Sequence, residues 1–288
     1  MNRLLLAFTL GLSLAACGGG NGGSAVDMAV ALPTPVNFTD KGATKPADES
    51  CNGKRIDPMP PTMDTIVNGT IKDFENSQPV ENAIVSLYLT AGDAVNNKPA
   101  AMSTPSDAMG NYTITVPKGH YRVTFGNQGG MALSNGQPVS TIPAYEFNRV
   151  YSDKERAAVK KTTKEAIAGI VSIIPDDSLG VVAGSVHDCG DKILGGAEVS
   201  LSKTSSPYDS SSLVFYFVNA GGSQLPVRTA HWTSNDPGVY AALNVPTGTA
   251  QVNATGIIGS GALQSLGAET VPIIAGAITI VDVLPASM

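Results

Sequence analysis

The chain has 288 residues and a formal net charge of −6, and only 15% of its residues are charged and 6% aromatic. This length is sufficient for two domains, each with a hydrophobic core of its own. Because the chain is mildly acidic and has no cluster of lysine and arginine, we expect no nucleic-acid partner, since such proteins present a basic surface. Its many glycine, serine and threonine residues favour an exported β-protein over a helix-rich enzyme.

Residues 1–17 are predicted to be a secretory leader. Arg3 supplies the positive start, and the apolar run Leu4 to Leu14 is too short to span a bilayer as a mature helix. The run ends in Leu14-Ala-Ala-Cys17, which resembles the lipobox of bacterial lipoproteins. The resemblance implies a diacylglyceryl group on the Cys17 thiol and acylation of its freed amine, and several acyl chains hold a protein stably at a membrane. Gly18 stands where aspartate would favour inner-membrane retention in enteric bacteria, so we expect an outer-membrane address in the cell envelope.

Residues 18–64 are predicted to be a flexible tether. Gly18-Gly-Gly-Asn-Gly-Gly23 has the composition of a flexible linker. Regular structure is further disfavoured by prolines, which are Pro33, Pro35, Pro46, Pro58, Pro60 and Pro61. A coil of this length spans about 35–40 Å, which would lift the first folded domain off the lipid surface.

One sequence skeleton occurs twice. The first copy consists of Gly69-Thr-Ile-Lys-Asp73, Ala83-Ile-Val-Ser-Leu87, Asp107-Ala-Met-Gly-Asn-Tyr112 and Val116-Pro-Lys-Gly-His-Tyr121. The second consists of Gly184-Ser-Val-His-Asp188, Gly196-Ala-Glu-Val-Ser-Leu201, Asn235-Asp-Pro-Gly-Val-Tyr240 and Val245-Pro-Thr-Gly-Thr249. Short β-rich runs between Asp, Gly and Pro turns predict hairpins. The predicted fold class is therefore mainly β, with two tandem antiparallel β-sandwich domains at residues 65–151 and 178–288.

This skeleton resembles the carboxypeptidase regulatory-like module, a transthyretin-like (prealbumin-like) β-sandwich related to Ig-like folds. The first copy departs from the family pattern at Asn82, where glycine is usual, and the second at Thr249, where a tyrosine would fall. The resemblance implies the fold and no catalytic role, because none of the signature residues is catalytic in such modules. Similar modules also belong to a carbohydrate-binding-like superfamily, which is an association and not evidence of function.

Residues 152–177 are predicted to be a helical connector between the sandwiches. Ser152-Asp-Lys-Glu155 and Thr162-Thr-Lys-Glu165 both have the spacing of a capping box. An apolar stripe of helical spacing follows, formed by Ile167, Ile170, Val171 and Ile174, and Pro175 ends it. The two boxes leave open whether the connector is one helix or two short ones.

The second repeat carries an insert that is predicted to be a hairpin. Its strands are Leu213–Val218 and Val227–Thr233, on either side of Gly221-Gly222. Both faces of the first strand are apolar. Either both faces are covered, or one is offered to a partner.

Motifs for catalysis are missing from the sequence: it has no G-x-S-x-G, no H-E-x-x-H and no P-loop. His120, His187 and His231 each fall in a different β-segment, which gives no support to a metal site. His120 and His187 are expected on the surfaces of strands. We therefore predict that the protein is not an enzyme and holds no metal or cofactor.

Cys51 and Cys189 are the two thiols left once Cys17 is acylated. An envelope compartment permits a disulfide between them, but two unpaired cysteines fit the sequence equally well. Trp232 is the only tryptophan, and the neighbouring aromatic and imidazole side chains are Tyr208, Tyr216 and His231. These four residues are candidates for binding a sugar ring by stacking, although aromatic residues in a β-sandwich more often lie in the core.

The sequence thus predicts a non-enzymatic, lipid-anchored envelope protein whose modules present a binding or spacer surface to a protein or a polysaccharide. A carbohydrate-binding module is one alternative. The other is an accessory subunit of an envelope hydrolase or transporter.

Overall fold

The computed structural model describes residues 32–40, 43–51, 54, 59–151, 154–203, 214–220 and 223–285. The strands in the first half of the chain are β1 Pro35–Asp40, β2 Ala43–Pro46, β3 Thr65–Asp73, β4 Val80–Glu81, β5 Ile84–Tyr88, β6 Met102–Pro105, β7 Asn111–Val116, β8 Arg122–Asn127, β9 Gly130–Ser134 and β10 Gln137–Thr141. Those in the second half are β11 Ala144–Val150, β12 Lys154–Ala158, β13 Gly180–Ser185, β14 Glu198–Lys203, β15 Val214–Ala220, β16 Ser223–Val227, β17 Val239–Val245, β18 Gly248–Ile258, β19 Leu263–Ile273 and β20 Ile278–Ile280. The helices are α1 Ala91–Val95 and α2 Lys161–Ile170.

Nine strands form one long sheet, in the order β16-β15-β17-β13-β20-β11-β8-β5-β6. Strands of the two repeats meet at its centre, where β11 and β20 pair in parallel with Ala144 opposite Ile278. On its other side β20 pairs in parallel with β13. Three smaller sheets complete the fold: β14-β18-β1-β2 with β19 on β18, β12-β3-β7, and β10-β9-β4.

The two larger hydrophobic cores lie against the long sheet, and three smaller clusters of buried residues border it as well. The first core fills the space between β3 and β7 and the long sheet's β5 and β8, with Ile71, Ile114 and Phe125 almost fully buried. The second core joins β18 and β19 to β13 and β17, with Val252 and Tyr240 fully buried. Two sheets packed face to face through alternate side chains make a β-sandwich, so the predicted fold class is confirmed.

The two repeats keep the same strand pairing. β3 pairs antiparallel with β7, placing Gly69 opposite Tyr112, and β13 pairs antiparallel with β17, placing Gly184 opposite Tyr240. β5 pairs with β8 in the first repeat as β14 pairs with β18 in the second. Because the long sheet contains strands of both repeats and residues 32–288 form one compact unit, the domain boundaries given above stay a prediction.

The tether predicted for residues 18–64 is wrong over its second half, where residues 35–40 and 43–46 form β1 and β2. Val36 is fully buried in the second core, and β1 pairs in parallel with β18. Val36 and Phe38 alternate with polar residues, which is a strand pattern. Pro35 and Pro46 lie at the ends of these strands, where proline is tolerated. Cys17 and the rest of residues 1–31 lie outside the described residues.

The helix predicted for residues 152–177 is also wrong at both ends. Residues 154–158 form β12, which pairs in parallel with β3, and α2 covers only Lys161–Ile170. Lys160 occupies the N-cap position of α2 and its side chain makes no capping hydrogen bond, so the helix begins at neither predicted capping box. Pairing with a core strand outweighs local helix propensity here. The predicted stripe is split accordingly: Val171 is buried, whereas Ile170 and Ile174 are exposed.

The predicted hairpin of the second repeat is present, but its return strand is Ser223–Val227 and not residues 227–233. Ala220 pairs with Ser223, so the return strand begins directly after Gly221-Gly222. Within the described residues, no helix is both long and apolar enough to cross a membrane.

Candidate functional site

A cavity of about 790 Å³ lies between the β12–α2 segment and the middle strands of the long sheet. On one side it is lined by Phe74, Lys154, Arg156 and Ile167, and on the other by residues of β11, β13, β15, β17 and β20. Pockets for small ligands usually measure about 300–1,000 Å³. The cavity therefore has the size of a binding site for a small organic molecule.

One wall of this cavity is apolar. Its half-buried apolar side chains are Val181 and Ala183 on β13 and Ile280 on β20. Phe215, Phe217 and Leu243 also border it but are at most 4% exposed, because they pack in a core cluster with Phe74 and Ile167. Phe74 meets Phe217 edge-on with ring centroids 5.8 Å apart. The opposite face of β15 is also buried, because Tyr216 points into the second core. Both faces of this strand are thus covered, which settles the alternative that the sequence left open.

Five charged side chains form a cluster at the cavity, which we call the charge cluster: Glu146 and Arg149 on β11, Lys154 and Arg156 on β12, and Asp282 just after β20. Arg149 Nη2 and Lys154 Nζ donate to Asp282 Oδ2 at 2.7 and 2.9 Å. Lys154 Nζ also lies 3.8 Å from Glu146 Oε2. Glu146 and Arg156 are at most 9% exposed, so most of the cluster is removed from solvent.

The pKa values in the charge cluster reflect burial opposed by the neighbouring charges. Burial alone would raise the pKa of Asp282, but Lys154, Arg149 and His187 outweigh it and hold that pKa well below its usual range. Burial raises the pKa of Glu146, and the opposing effect of Lys154 and Arg149 is smaller, so the pKa is raised overall. Burial works against the charge of Lys154 too, yet Glu146 and Asp282 raise its pKa overall.

Arg156 is the least well satisfied member of the cluster. Its guanidinium lies over the Phe125 ring, with the central carbon 4.0 Å from the centroid, and donates from Nη1 to the Tyr112 hydroxyl. Its Nε makes no hydrogen bond and lies 3.6 Å from Glu146 Oε1, which is an ion-pair distance and too long for a hydrogen bond. Burial lowers the pKa of Arg156 to about 10.

A chain of polar groups continues from Asp282. Ser185 Oγ lies 3.0 Å from Asp282 Oδ1 and 2.7 Å from His187 Nε2, and His187 Nδ1 lies 2.9 Å from Asp191 Oδ1. Serine, histidine and aspartate are therefore connected in the order of a hydrolytic triad.

The hydrogen-bond directions argue against a triad. The Ser185 hydroxyl donates to the Asp282 carboxylate, so its single hydrogen is not directed to His187. Despite the short distance to Asp191, His187 Nδ1 makes no hydrogen bond, so that carboxylate does not orient the ring. We therefore assign Ser185 and His187 to the polar wall of the cavity.

The structure joins Cys51 and Cys189 in a disulfide across a sequence separation of 138 residues. Both cysteines line the cavity. The backbone N–H of Asp48 donates to Asp188 Oδ2 at 3.0 Å next to this bridge. The segment that was predicted to be a tether is thus attached to the second repeat at the cavity's edge.

The predicted sugar-stacking residues do not come together as one surface. Tyr216 is wrong as a binding residue, because only 3% of it is exposed and its hydroxyl accepts the backbone N–H of Val199 at 2.8 Å. Burial raises the pKa of Tyr216 to about 12. Trp232 is half-buried next to the exposed His231, with ring centroids 6.3 Å apart, and for these two the role stays a prediction. Tyr208 lies outside the described residues.

The charge cluster was missed by the sequence reasoning. His187, expected on a strand surface, lies in the cavity wall with 14% of its side chain exposed. A signal did exist: Lys154-Glu-Arg156 follows Glu146 and Arg149 closely in a chain with few charges. The capping-box spacing of the same run, however, predicts the start of a helix there. Within the described residues, no group of three His, Cys, Asp or Glu side chains is arranged to hold a metal ion.

No protein-family model and no curated protein matches the chain. Among solved structures, the shaft pilin SpaA of Lactobacillus rhamnosus GG is 9% identical, over 76% of this chain and 96% of that one, with a TM-score of 0.23. A streptococcal ancillary pilin is 18% identical, over 77% of this chain and 62% of the pilin chain, with a TM-score of 0.22. A variant of the Bacillus cereus major pilin BcpA is 9% identical, over 76% of this chain and 99% of the pilin chain, with a TM-score of 0.22. At such TM-scores no statement about function rests on these likenesses, and the resemblances to lipoproteins and to the carboxypeptidase regulatory-like module stay predictions.

Proposed function

We propose that the protein is a non-enzymatic, lipid-anchored protein of the cell envelope that binds a small ligand in its cavity. The observation that carries this proposal is the cavity itself, in which an apolar wall meets the charge cluster. Ligand sites typically combine apolar walls with a few convergent polar groups in this way. The site is built mainly on strands of the long sheet and on β12, and strands hold side chains more rigidly than loops do.

The envelope location rests on two features. Leu14-Ala-Ala-Cys17 supports a lipid anchor, and the disulfide between Cys51 and Cys189 fits an oxidising compartment. As the sequence analysis indicated, the outer membrane is the proposed address. The absence of a nucleophile with a suitably oriented base in the described cavity supports a binding role over catalysis.

The anchor is tested by growing cells with [³H]palmitate. We expect label in the wild-type protein and none in Cys17→Ser, and globomycin should cause the unprocessed precursor to accumulate. Label that persists in Cys17→Ser would contradict the anchor. Fractionation of the envelope then shows which membrane carries the protein.

The binding role of the cavity is tested by ligand-detected NMR with a chemically mixed fragment library. Ala183 is half-buried on β13 and lines the cavity, so Ala183→Phe should fill part of it. We expect fragments that bind the wild-type protein and fail to bind Ala183→Phe. If every fragment binds both proteins equally, the cavity is not the binding site.

A further inference from the structure

We infer that the ligand of this cavity is an amphipathic anion, with one carboxylate or phosphate head held by Arg149, Lys154 and Arg156 and an apolar body lying along Val181 and Ala183. This inference rests on the proposed function and names the chemical class of ligand for the same site. Three features support it: a gradient of polarity along the cavity wall, an excess of positive charge within the charge cluster, and an unpartnered donor.

The polarity of the cavity wall changes along two neighbouring parallel strands. β13 and β20 are in register, with Val181 opposite Ile278 and Ala183 opposite Ile280. Two residues further along, the corresponding positions are Ser185 on β13 and Asp282 just past the end of β20. The side chains at these three pairs of positions all line the cavity. Because alternate residues are about 7 Å apart, the wall changes from apolar to charged over a little more than 10 Å. A molecule with an apolar body and one polar end matches this gradient.

The charge cluster contains more positive than negative groups. Arg149, Lys154 and Arg156 face only Glu146 and Asp282, and the raised pKa of Glu146 increases the imbalance when that group takes up a proton. A buried charge is stable only when it is paired. One negative charge on the ligand would balance the excess.

Several of the other charged groups of the wall have partners outside the charge cluster. Glu155 pairs with Lys72, and Lys164 pairs with Asp177. Asp188 accepts backbone N–H groups of Asp48, Gly190 and Lys192. Asp191 lies against His187, while Lys54, Arg122 and Glu269 complete the charged part of the wall. The excess positive charge is therefore a property of the buried charge cluster.

Arg156 provides the unpartnered donor. Its side chain is 9% exposed, it lines the cavity, and its Nε has no hydrogen-bond partner within the described residues. Leaving a buried donor unpaired is destabilising, because the group has lost its hydrogen bonds to water. A carboxylate or phosphate oxygen is the acceptor that a guanidinium binds best.

Other classes of ligand fit less well. A sugar would place many hydroxyl groups against Val181, Ala183 and Ile280, whose side chains cannot hydrogen-bond them. A cation would meet the excess positive charge. A neutral apolar molecule would leave Arg156 Nε without an acceptor.

The test uses the full mature chain carrying Cys17→Ser, so that no attached acyl chain competes for the cavity. Displacement of 11-(dansylamino)undecanoic acid is measured with decanoate, decyl phosphate, decanol, decyltrimethylammonium and inorganic phosphate. We expect decanoate or decyl phosphate to bind at least tenfold more tightly than decanol, and the cation and inorganic phosphate not to displace the probe. The ratio of decanoate to decyl phosphate affinity shows whether the natural head is a carboxylate or a phosphate.

Two variants distinguish the contribution of the ligand's charged head to affinity from that of its apolar body. Arg149→Gln should weaken decanoate and decyl phosphate at least tenfold and leave decanol unchanged, whereas Ala183→Phe should weaken all three. Lys98→Gln removes a surface cation outside the cavity and should change nothing. If Arg149→Gln fails to fold by circular dichroism, Lys154→Gln takes its place, because that side chain is 35% exposed.

Equal affinities for decanol and decanoate, or an unchanged affinity in Arg149→Gln, would overturn the inference. If neutral compounds bind and are lost in Ala183→Phe, the ligand class is wrong and the proposed binding function stands. If Ala183→Phe alters the binding of no compound, both the inference and the binding function are wrong.

Discussion

Arg149 holds Asp282 through two hydrogen bonds across 133 residues of sequence: Nη2 donates to the carboxylate at 2.7 Å, and Nη1 donates to the Asp282 backbone carbonyl at 3.0 Å. The first residue belongs to β11 of the first repeat, and the second follows β20 at the end of the second. This contact links the repeats where their strands pair in parallel. It also places the charge cluster in the cavity.

Asp282→Asn should lower the free energy of unfolding by about 3–5 kcal/mol at pH 7, because it removes a buried carboxylate and leaves the half-buried Arg149 and Lys154 without their shared partner. Urea denaturation followed by circular dichroism measures the change. Lys98→Gln, which breaks an exposed ion pair with Asp93, is the control and should have little effect.

The stability difference between the wild-type protein and Asp282→Asn should also depend on pH. The pKa of Asp282 is lower in the folded than in the unfolded state, so its contribution to stability is complete above the unfolded pKa of about 3.9 and declines as the pH falls below that value. The difference between the wild-type protein and Asp282→Asn should therefore be constant from pH 7 to about pH 5 and shrink below about pH 4. A difference that stays constant down to pH 3 would contradict the ionised state of Asp282.

Reduction of the disulfide should lower the free energy of unfolding by about 4–5 kcal/mol, because Cys51 and Cys189 close a loop of more than a hundred residues. Cys51→Ser together with Cys189→Ser should show the same loss without reductant. Mass spectrometry of peptides from the unreduced protein tests the bridge itself. Two separate free-thiol peptides would contradict it.

Gly184→Ala should lower the free energy of unfolding by about 1–3 kcal/mol, because the added Cβ would overlap the Val281 carbonyl oxygen on the neighbouring strand segment. Gly169→Ala in α2 is the matched control, since a Cβ there meets no atom within 4 Å. We expect this control to raise stability by about 0.5–1 kcal/mol through helix propensity. Equal effects of the two substitutions in thermal denaturation would disprove the close approach at Gly184.

Ser185 should not react with a fluorophosphonate probe, because its hydroxyl donates to Asp282 and not to His187. Intact-mass spectrometry after exposure to the probe should show no adduct, with a serine esterase as the positive control. An adduct mapped to Ser185 and absent from Ser185→Ala would show a nucleophile and overturn the non-enzymatic assignment.

Trp232→Ala tests the remaining part of the sugar hypothesis. Trp232 and His231 form the only part of the predicted aromatic set with described and accessible side chains. If the protein binds a glycan through this pair, a glycan-array signal of the wild-type protein should be lost in Trp232→Ala. Binding that survives the substitution would exclude stacking on this ring.

The repeat illustrates how much of the fold was predictable. Gly69 and Tyr112, like Gly184 and Tyr240, belong to the skeleton that was recognised in the sequence, and the structure places each pair directly opposite on neighbouring strands. Each glycine is needed for a close approach: a Cβ at Gly69 would overlap the Tyr112 hydroxyl and the Lys154 carbonyl oxygen, and one at Gly184 the Val281 carbonyl oxygen. Turn residues and strand patterns act over a few positions, which is why they could be interpreted locally.

The site was not predictable in the same way. Lys154 and Arg156 belong to a segment whose local pattern resembles a helix start, yet parallel pairing with β3 makes it a strand and directs both side chains to the cavity. Tyr216 shows the reverse case. It has the residue type of a binding surface, and packing against the second core buries it.

Residue types at short spacings are enough to predict the β class, the duplicated skeleton and the absence of familiar catalytic motifs. Three other features become visible only in the folded chain: β11 pairs with β20, Cys51 is bonded to Cys189, and the charge cluster meets an apolar wall. Each of these contacts joins residues more than a hundred positions apart. Their partners are selected by packing and by the pairing of buried charges, and neither leaves a pattern in the local sequence.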